Sequence, residues 1–120
     1  MAKILVIDDN PTNLQFVVEC LGPEHEVVSV GDGAQGLDLF KTQKFDLLIT
    51  DIIMPDKNGF EVIREIRAQN AKIPIIAISG GLKSSSMDLL KVIDSIRNSW
   101  SLAKPFTVEQ LSAVVQESLS

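Results

Sequence analysis

The sequence predicts an α/β fold: a (βα)5 chain whose five-stranded parallel sheet carries helices on both faces. Two observations carry this expectation. Apolar, β-branched runs such as Ile4 to Ile7 and Leu47 to Ile49 are unbroken by polar residues, as strands covered on both faces require. Between such runs lie segments whose apolar residues recur at helical spacing, with connections of only a few residues. Parallel neighbours need right-handed helical crossovers, so the alternation implies helices above and below the sheet. No internal repeat, low-complexity tract or linker interrupts the pattern, and residues 1–120 are expected to form one domain.

The elements follow in order. Ile4 to Ile7 is the first strand and runs into Asp8-Asp9. Asn10 can cap a helix whose first position is Pro11, where the missing N–H costs nothing. Leu14, Val17, Val18 and Leu21 share one face of that helix, and Gly22-Pro23 stops it. Glu26 to Val30 is a second, more polar strand. Asp32-Gly33 opens a helix with Ala34, Leu37 and Phe40 at helical spacing. Asp46 to Thr50 is the third strand and ends directly at Asp51. A turn-rich stretch from Met54 to Gly59 leads to a helix marked by Val62, Ile63 and Ile66. Ile73 to Ile78 is the fourth strand, ending at Ser79-Gly80-Gly81. Ser85 and Asp88 offer a capping-box-like start to a helix carrying Leu89, Leu90, Ile93 and Ile96. Trp100 to Ala103 is a short fifth strand. Thr107 and Gln110 form a capping box for the last helix, with Val108, Leu111, Val114 and Val115.

Composition narrows the function classes. With 120 residues, 45% hydrophobic and 22% charged, the chain suits one soluble globular core. Net charge is −5 and no Lys/Arg stripe could track a phosphate backbone, which argues against direct nucleic-acid binding. No apolar run approaches the ~20 residues a membrane span needs, and the first residues lack the h-region of a signal peptide. A cytoplasmic location is expected. The lone Cys20 permits no internal disulfide and is read as a small filler beside a helix.

The polar residues at the strand ends are the informative ones. In a parallel α/β sheet, ligands sit beyond the carboxyl ends of the strands. Asp8 and Asp9 end the first strand, Asp51 the third, Ser79 the fourth and Lys104 the fifth. Each alone has an ordinary reading as a helix cap, a turn residue or a surface cation. Together they bring three carboxylates to one small volume, a repulsion of roughly several kcal/mol at an effective dielectric of ~20. A hard divalent cation relieves it, and Mg²⁺ suits carboxylates, a carbonyl and retained waters. A metal ion and a lysine flanking one carboxylate would also neutralise a transferring phosphoryl group.

These residues resemble the CheY-like receiver family, whose fold is flavodoxin-like. The likeness rests on Asp8-Asp9, on Asp51 followed by Met54-Pro55 and Gly59, on Ser79, and on Lys104-Pro105-Phe106. It runs over essentially the whole chain. The resemblance implies that Asp51 is the nucleophile and phosphorylation site. Asp9, Asp51 and the Ile53 carbonyl would coordinate Mg²⁺, with Asp8 helping through water. Ser79 would hydrogen-bond the phosphoryl oxygens, Lys104 would pair with them, and backbone N–H groups near Ile52, Ile53 and Gly80 would complete the cradle. The Lys104-Pro105 peptide is expected to be cis. The implied phosphodonor is a histidine kinase or histidine phosphotransfer protein, and the implied output is binding to a downstream protein, with neither nucleic acid nor membrane as a direct partner. Such a domain catalyses only its own phosphorylation and dephosphorylation and is not an enzyme in the turnover sense.

Three features depart from the family pattern. Ser101 stands where an aromatic residue often precedes the lysine by three positions, and Trp100 should point to the opposite face. The stretch from Ser79 to Lys104 is long, and Gly80-Gly81 with Ser84 to Ser86 makes it the expected route of the signal. The chain ends with its last helix, so it is read as a single-domain regulator or as a receiver excised from a hybrid kinase or multidomain regulator. Two other classes fit less well. An FMN carrier would want Ser, Thr or Gly after the first strand, where Asp8-Asp9-Asn10-Pro11 stands. An aspartate-nucleophile phosphatase needs a second carboxylate two residues after Asp51, and Ile53 is there instead. His25, between Glu24 and Glu26, is read as a solvated loop histidine.

Overall fold

Five strands pair in parallel in one sheet of order β2-β1-β3-β4-β5: β1 (Lys3–Ile7), β2 (Glu26–Val30), β3 (Leu47–Asp51), β4 (Ile75–Ser79) and β5 (Ser99–Ala103). The computed structural model describes residues 2–52, 59–70, 72–79 and 98–120. Within them are four helices: α1 (Pro11–Leu21), α2 (Gly33–Thr42), α3 (Gly59–Gln69) and α4 (Val108–Leu119). The helix expected around Leu89 to Ile96, with its Ser85 and Asp88 cap, lies outside the described residues. No helix among them is long and apolar enough to cross a membrane.

The alternation of side chains along each strand builds two cores. Leu5, Ile7, Leu48, Ile75 and Ala77 face Leu37 of α2 and Val62, Ile63 and Ile66 of α3. Ile4, Val6, Leu47, Ile49, Ile76, Ile78 and Leu102 face Val17 and Leu21 of α1 and Leu111 and Val115 of α4. Each aliphatic side chain fully removed from water in this way contributes about 1.5–3 kcal/mol. Trp100 packs on the α1/α4 core, so it does lie on the opposite face from Ser101. Cys20 is half-buried against the same core. Burial, and secondarily Glu19, pushes its thiol up from its ordinary pKa, as suits an inert filler.

Local rules set the helix starts. The Asn10 side chain accepts from the N–H groups of Thr12 and Asn13, and Pro11 opens α1. Asp32 accepts from the Gln35 N–H at 2.7 Å. Thr107 and Gln110 form the reciprocal capping box of α4. The fourth strand starts two residues later than the apolar run suggests. Asn70 Oδ1 accepts from the N–H groups of Lys72 and Ile73, which keeps both out of the ladder, and Pro74 has no N–H to give one. His25 also differs from its solvated reading: the ring is half-buried and its Nδ1 accepts from the Ala2 N–H at 3.0 Å.

Arg67 clamps the amino ends of β4 and β5 to the end of α3. Its guanidinium donates to the carbonyls of Asn70, Ile73 and Asn98. Burial lowers its pKa from the ordinary value, though arginine stays charged at neutral pH. Asn98 adopts a left-handed backbone with φ 56°, which asparagine tolerates better than most residues, and its Nδ2 donates to the Lys72 carbonyl. Arg67→Met removes the donors while keeping most of the apolar stem. It should cost about 2–3 kcal/mol, several degrees or more in melting temperature. Thermal unfolding followed by circular dichroism reads this directly; an unchanged melting point would mean that water satisfies these carbonyls equally well.

Candidate functional site

The parallel register places the key side chains on one face. β1 pairs with β3 through Val6↔Ile49 and Ile7↔Thr50, and β3 with β4 through Asp51↔Ile78. β4 pairs with β5 through Ile78↔Leu102 and Ser79↔Ala103. Asp8 continues the phase of Ile4 and Val6, Asp51 that of Leu47 and Ile49, and Lys104 that of Leu102. All three therefore reach the carboxyl end of the sheet on the side of α1 and α4. Ser79 closes β4 at the same end, opposite Ala103.

The distances make one site of them. Lys104 Nζ lies 3.0 Å from Asp51 Oδ2 and 3.3 Å from Asp8 Oδ2. Asp8 and Asp51 are 2% and 5% exposed, so both carboxylates need such partners. Asp8 Oδ1 accepts from the Asn10 N–H at 2.9 Å, which ties the site to the start of α1. Asp9 is exposed, yet a carboxylate oxygen from each of Asp8, Asp9 and Asp51 lies within 4.8 Å of the others. Of the expected residues, Asp8, Asp9, Asp51 and Lys104 are thus brought together. The Lys104-Pro105 peptide is cis, as expected. Ile53, Met54, Pro55 and the Gly80 to Ser86 loop lie outside the described residues. One expectation needs correction: the Ile52 N–H donates to the Ile78 carbonyl at 2.9 Å, so it is taken by the sheet and not directed to an anion cradle.

The backbone beneath Asp51 is held tightly. The buried Thr50 hydroxyl donates to the Asp51 carbonyl at 3.0 Å, and the Gly59 N–H donates to the Ile52 carbonyl at 2.6 Å. A Cβ on Gly59 would lie 2.3 Å from the Asp51 carbonyl oxygen and 2.6 Å from the Ile52 Cα. Close backbone approach is what requires glycine there. A second contact has no sequence signal at all. Phe16, outside the Leu14-Val17-Leu21 stripe of α1, packs its ring against Phe106, with centroids 5.8 Å apart and planes tilted by 58°. A cleft of about 720 Å³ lies at the opposite end of the sheet, beside His25, Lys72 and Trp100, remote from Asp8, Asp9 and Asp51.

Chemically, three carboxylate oxygens in so small a space make a donor set fitted to a hard divalent cation. The amine supplies a fixed positive charge next to the most central carboxylate.

Comparison with known proteins agrees with this geometry. Residues 4–116 match the family described as response regulator receiver domain. The chain belongs to that family. It functions as a receiver domain of the two-component type. It is 32% identical, over 98% of its length, to the sensor histidine kinase TmoS of Ectopseudomonas mendocina, of which it spans only 12%. The chemotaxis protein CheY4 of Vibrio cholerae superposes with a TM-score of 0.86 at 30% identity, covering 99% of both chains. TrrA of Thermotoga maritima, solved in complex with Mg²⁺-BeF, superposes at 0.84 with 29% identity, covering 99% of this receiver and all of that chain.

The charge balance of the receiver generates a test. At an effective dielectric of about 20, two carboxylates no more than 4.8 Å apart repel by at least about 3–4 kcal/mol. Lys104, 3.0 Å from Asp51, returns about 5–6 kcal/mol. With the cost of burial added and Asp9's share weakened by water, the charged Asp51 stands about 1–2 kcal/mol worse than a neutral group of its shape. In EDTA at pH 7, Asp51→Asn should therefore melt a few degrees above the parent. Added Mg²⁺ should raise the parent's melting point more than the variant's. Identical melting in EDTA with no Mg²⁺ response in either protein would show that the carboxylates do not act as one site.

Proposed function

We propose that Asp51 accepts a phosphoryl group from the phosphohistidine of a histidine kinase or a histidine phosphotransfer protein, and that the acyl phosphate switches binding to a downstream protein. The observation that carries this reading is the buried Asp51 carboxylate at a strand end, with one ammonium at 3.0 Å and two further carboxylates beside it. An Asp51 carboxylate oxygen attacks phosphorus as the P–N bond of the donor breaks. The electron pair of that bond stays with the imidazole nitrogen, and the product is an aspartyl phosphate. Asp9 and Asp51, with the Ile53 carbonyl, would hold Mg²⁺ directly and Asp8 through water. When bound, the ion supplies positive charge against the oxygens of the transferring group. TrrA, solved with Mg²⁺-BeF, supports that assignment by analogy.

The chain's own residues do the rest. Lys104 neutralises the phosphoryl oxygens, exchanging its contact with Asp8 for one with phosphate. The resemblance to the family assigns the Ser79 hydroxyl to another phosphoryl oxygen. Asn10, by fixing Asp8 Oδ1, keeps the acidic pair in place while charges move. Hydrolysis of the acyl phosphate returns Asp51 to its starting state, so the domain modifies only itself and turns over no separate substrate. A cytoplasmic setting and a protein target fit the net charge of −5, which disfavours anionic nucleic acid and anionic membrane surfaces.

Incubation with acetyl phosphate and Mg²⁺ should add one acid-stable, base-labile phosphoryl group, located on Asp51 by peptide mass spectrometry. Asp51→Asn should stay unlabelled, and Lys104→Ala should retain Mg²⁺ binding while losing most of the labelling rate. Equal labelling of Asp51→Asn and the parent would refute the assignment.

A further inference from the structure

We infer that Phe16, on α1, is a positioning residue for Lys104, acting through its ring contact with Phe106. The argument starts from how weakly the backbone holds Lys104. The ladder between β4 and β5 ends at Ser79↔Ala103, so Lys104 lies one residue past the last paired position on an edge strand. Thr107 is fixed by its capping box on α4, which anchors the far end of this connection. Between these anchors, Lys104, Pro105 and Phe106 cross the end of the sheet, and the Phe106 ring rests on Phe16 and the α1/α4 core.

These contacts close a circuit. Lys104 Nζ reaches Asp8 Oδ2, Asp8 Oδ1 takes the Asn10 N–H, Asn10 caps α1, and α1 carries Phe16 to Phe106, two residues from Lys104. The ion pair and the ring pair are the two clasps of one loop through the site. Opening the ring clasp loosens the path by which the ammonium is aimed at Asp8 and Asp51. A tilted ring pair of this kind is worth roughly three- to tenfold in an equilibrium or rate.

The ammonium pairs with Asp8 and Asp51, two of the three carboxylates that a divalent cation would use, and its charge repels such a cation, so freeing it should strengthen cation binding. General softening of the fold would weaken such binding. The sign of the effect therefore separates positioning from structure.

The test is a cycle of Phe16→Ala, Lys104→Ala and the double variant, each titrated with Mg²⁺ and then labelled with acetyl phosphate. Phe16→Ala alone should bind Mg²⁺ roughly three- to tenfold more tightly and label Asp51 more slowly by a similar factor. Neither effect should appear when Phe16→Ala is made in the Lys104→Ala background. Phe16→Tyr, which keeps the ring at this half-buried position, should behave as the parent. If Phe16→Ala does not fold, Phe16→Leu gives the same readouts with a smaller amplitude. Weaker or unchanged Mg²⁺ affinity, or an equal effect with and without Lys104, overturns the inference. The labelling arm rests on the proposed phosphoacceptor role and the Mg²⁺ arm does not: no labelling of the parent with the affinity pattern intact would sink that role and leave Phe16's assignment standing.

Discussion

Three carboxylates and one ammonium must coexist at the carboxyl end of this sheet, and the rest of the structure is arranged around that constraint. Two of the carboxylates are almost entirely buried, where an unpartnered charge would be driven to neutralise or to unfold its surroundings. Parallel pairing with a two-residue period brings Asp8, Asp51 and Lys104 to the same side of the sheet. A one-residue slip of any of these strands would send its charged residue into the opposite layer and its apolar set out of the core. The hydrophobic pattern that fixes the register thus also fixes the electrostatics. Stability of the core and assembly of the site are one requirement.

The two ends of the sheet divide the labour. At the amino ends, polar groups are used to hold segments still: Arg67 and Asn98 join α3, β4 and β5, while His25 and Asp46 bind the N–H groups of Ala2 and Lys3. At the carboxyl ends, polar groups face one another with a surplus of negative charge. The fold tolerates that surplus because the opposite end is well satisfied and both faces are packed.

Much of this was legible in the sequence because it follows from local chemistry. Asn10-Pro11 and Thr107 with Gln110 announce helix starts through groups one to three residues apart, and the apolar runs announce strands. The convergence of Asp8, Asp9, Asp51 and Lys104 was readable from topology, since parallel strands all end on the same side. What could not be read depends on contacts distant in the chain or on backbone proximity. The start of β4 is displaced because the Asn70 side chain captures the N–H of Ile73, which no apolar pattern reveals. His25 has a partner 23 residues away. Gly59 looks like any turn glycine until the Asp51 carbonyl is seen against it. Phe16 and Phe106 are 90 positions apart, joined by the fold alone.

The double engagement of Asp8 has a consequence for how charges exchange at the site. One of its oxygens is held by the backbone of α1 and the other by Lys104, and the residue is 2% exposed. Departure of the ammonium would take from Asp8 the positive charge that offsets its burial, which is costly for a carboxylate so little exposed. Its release is favoured when other positive charge reaches the acidic pair. Departure of the lysine and arrival of that charge are therefore coupled through a single carboxylate.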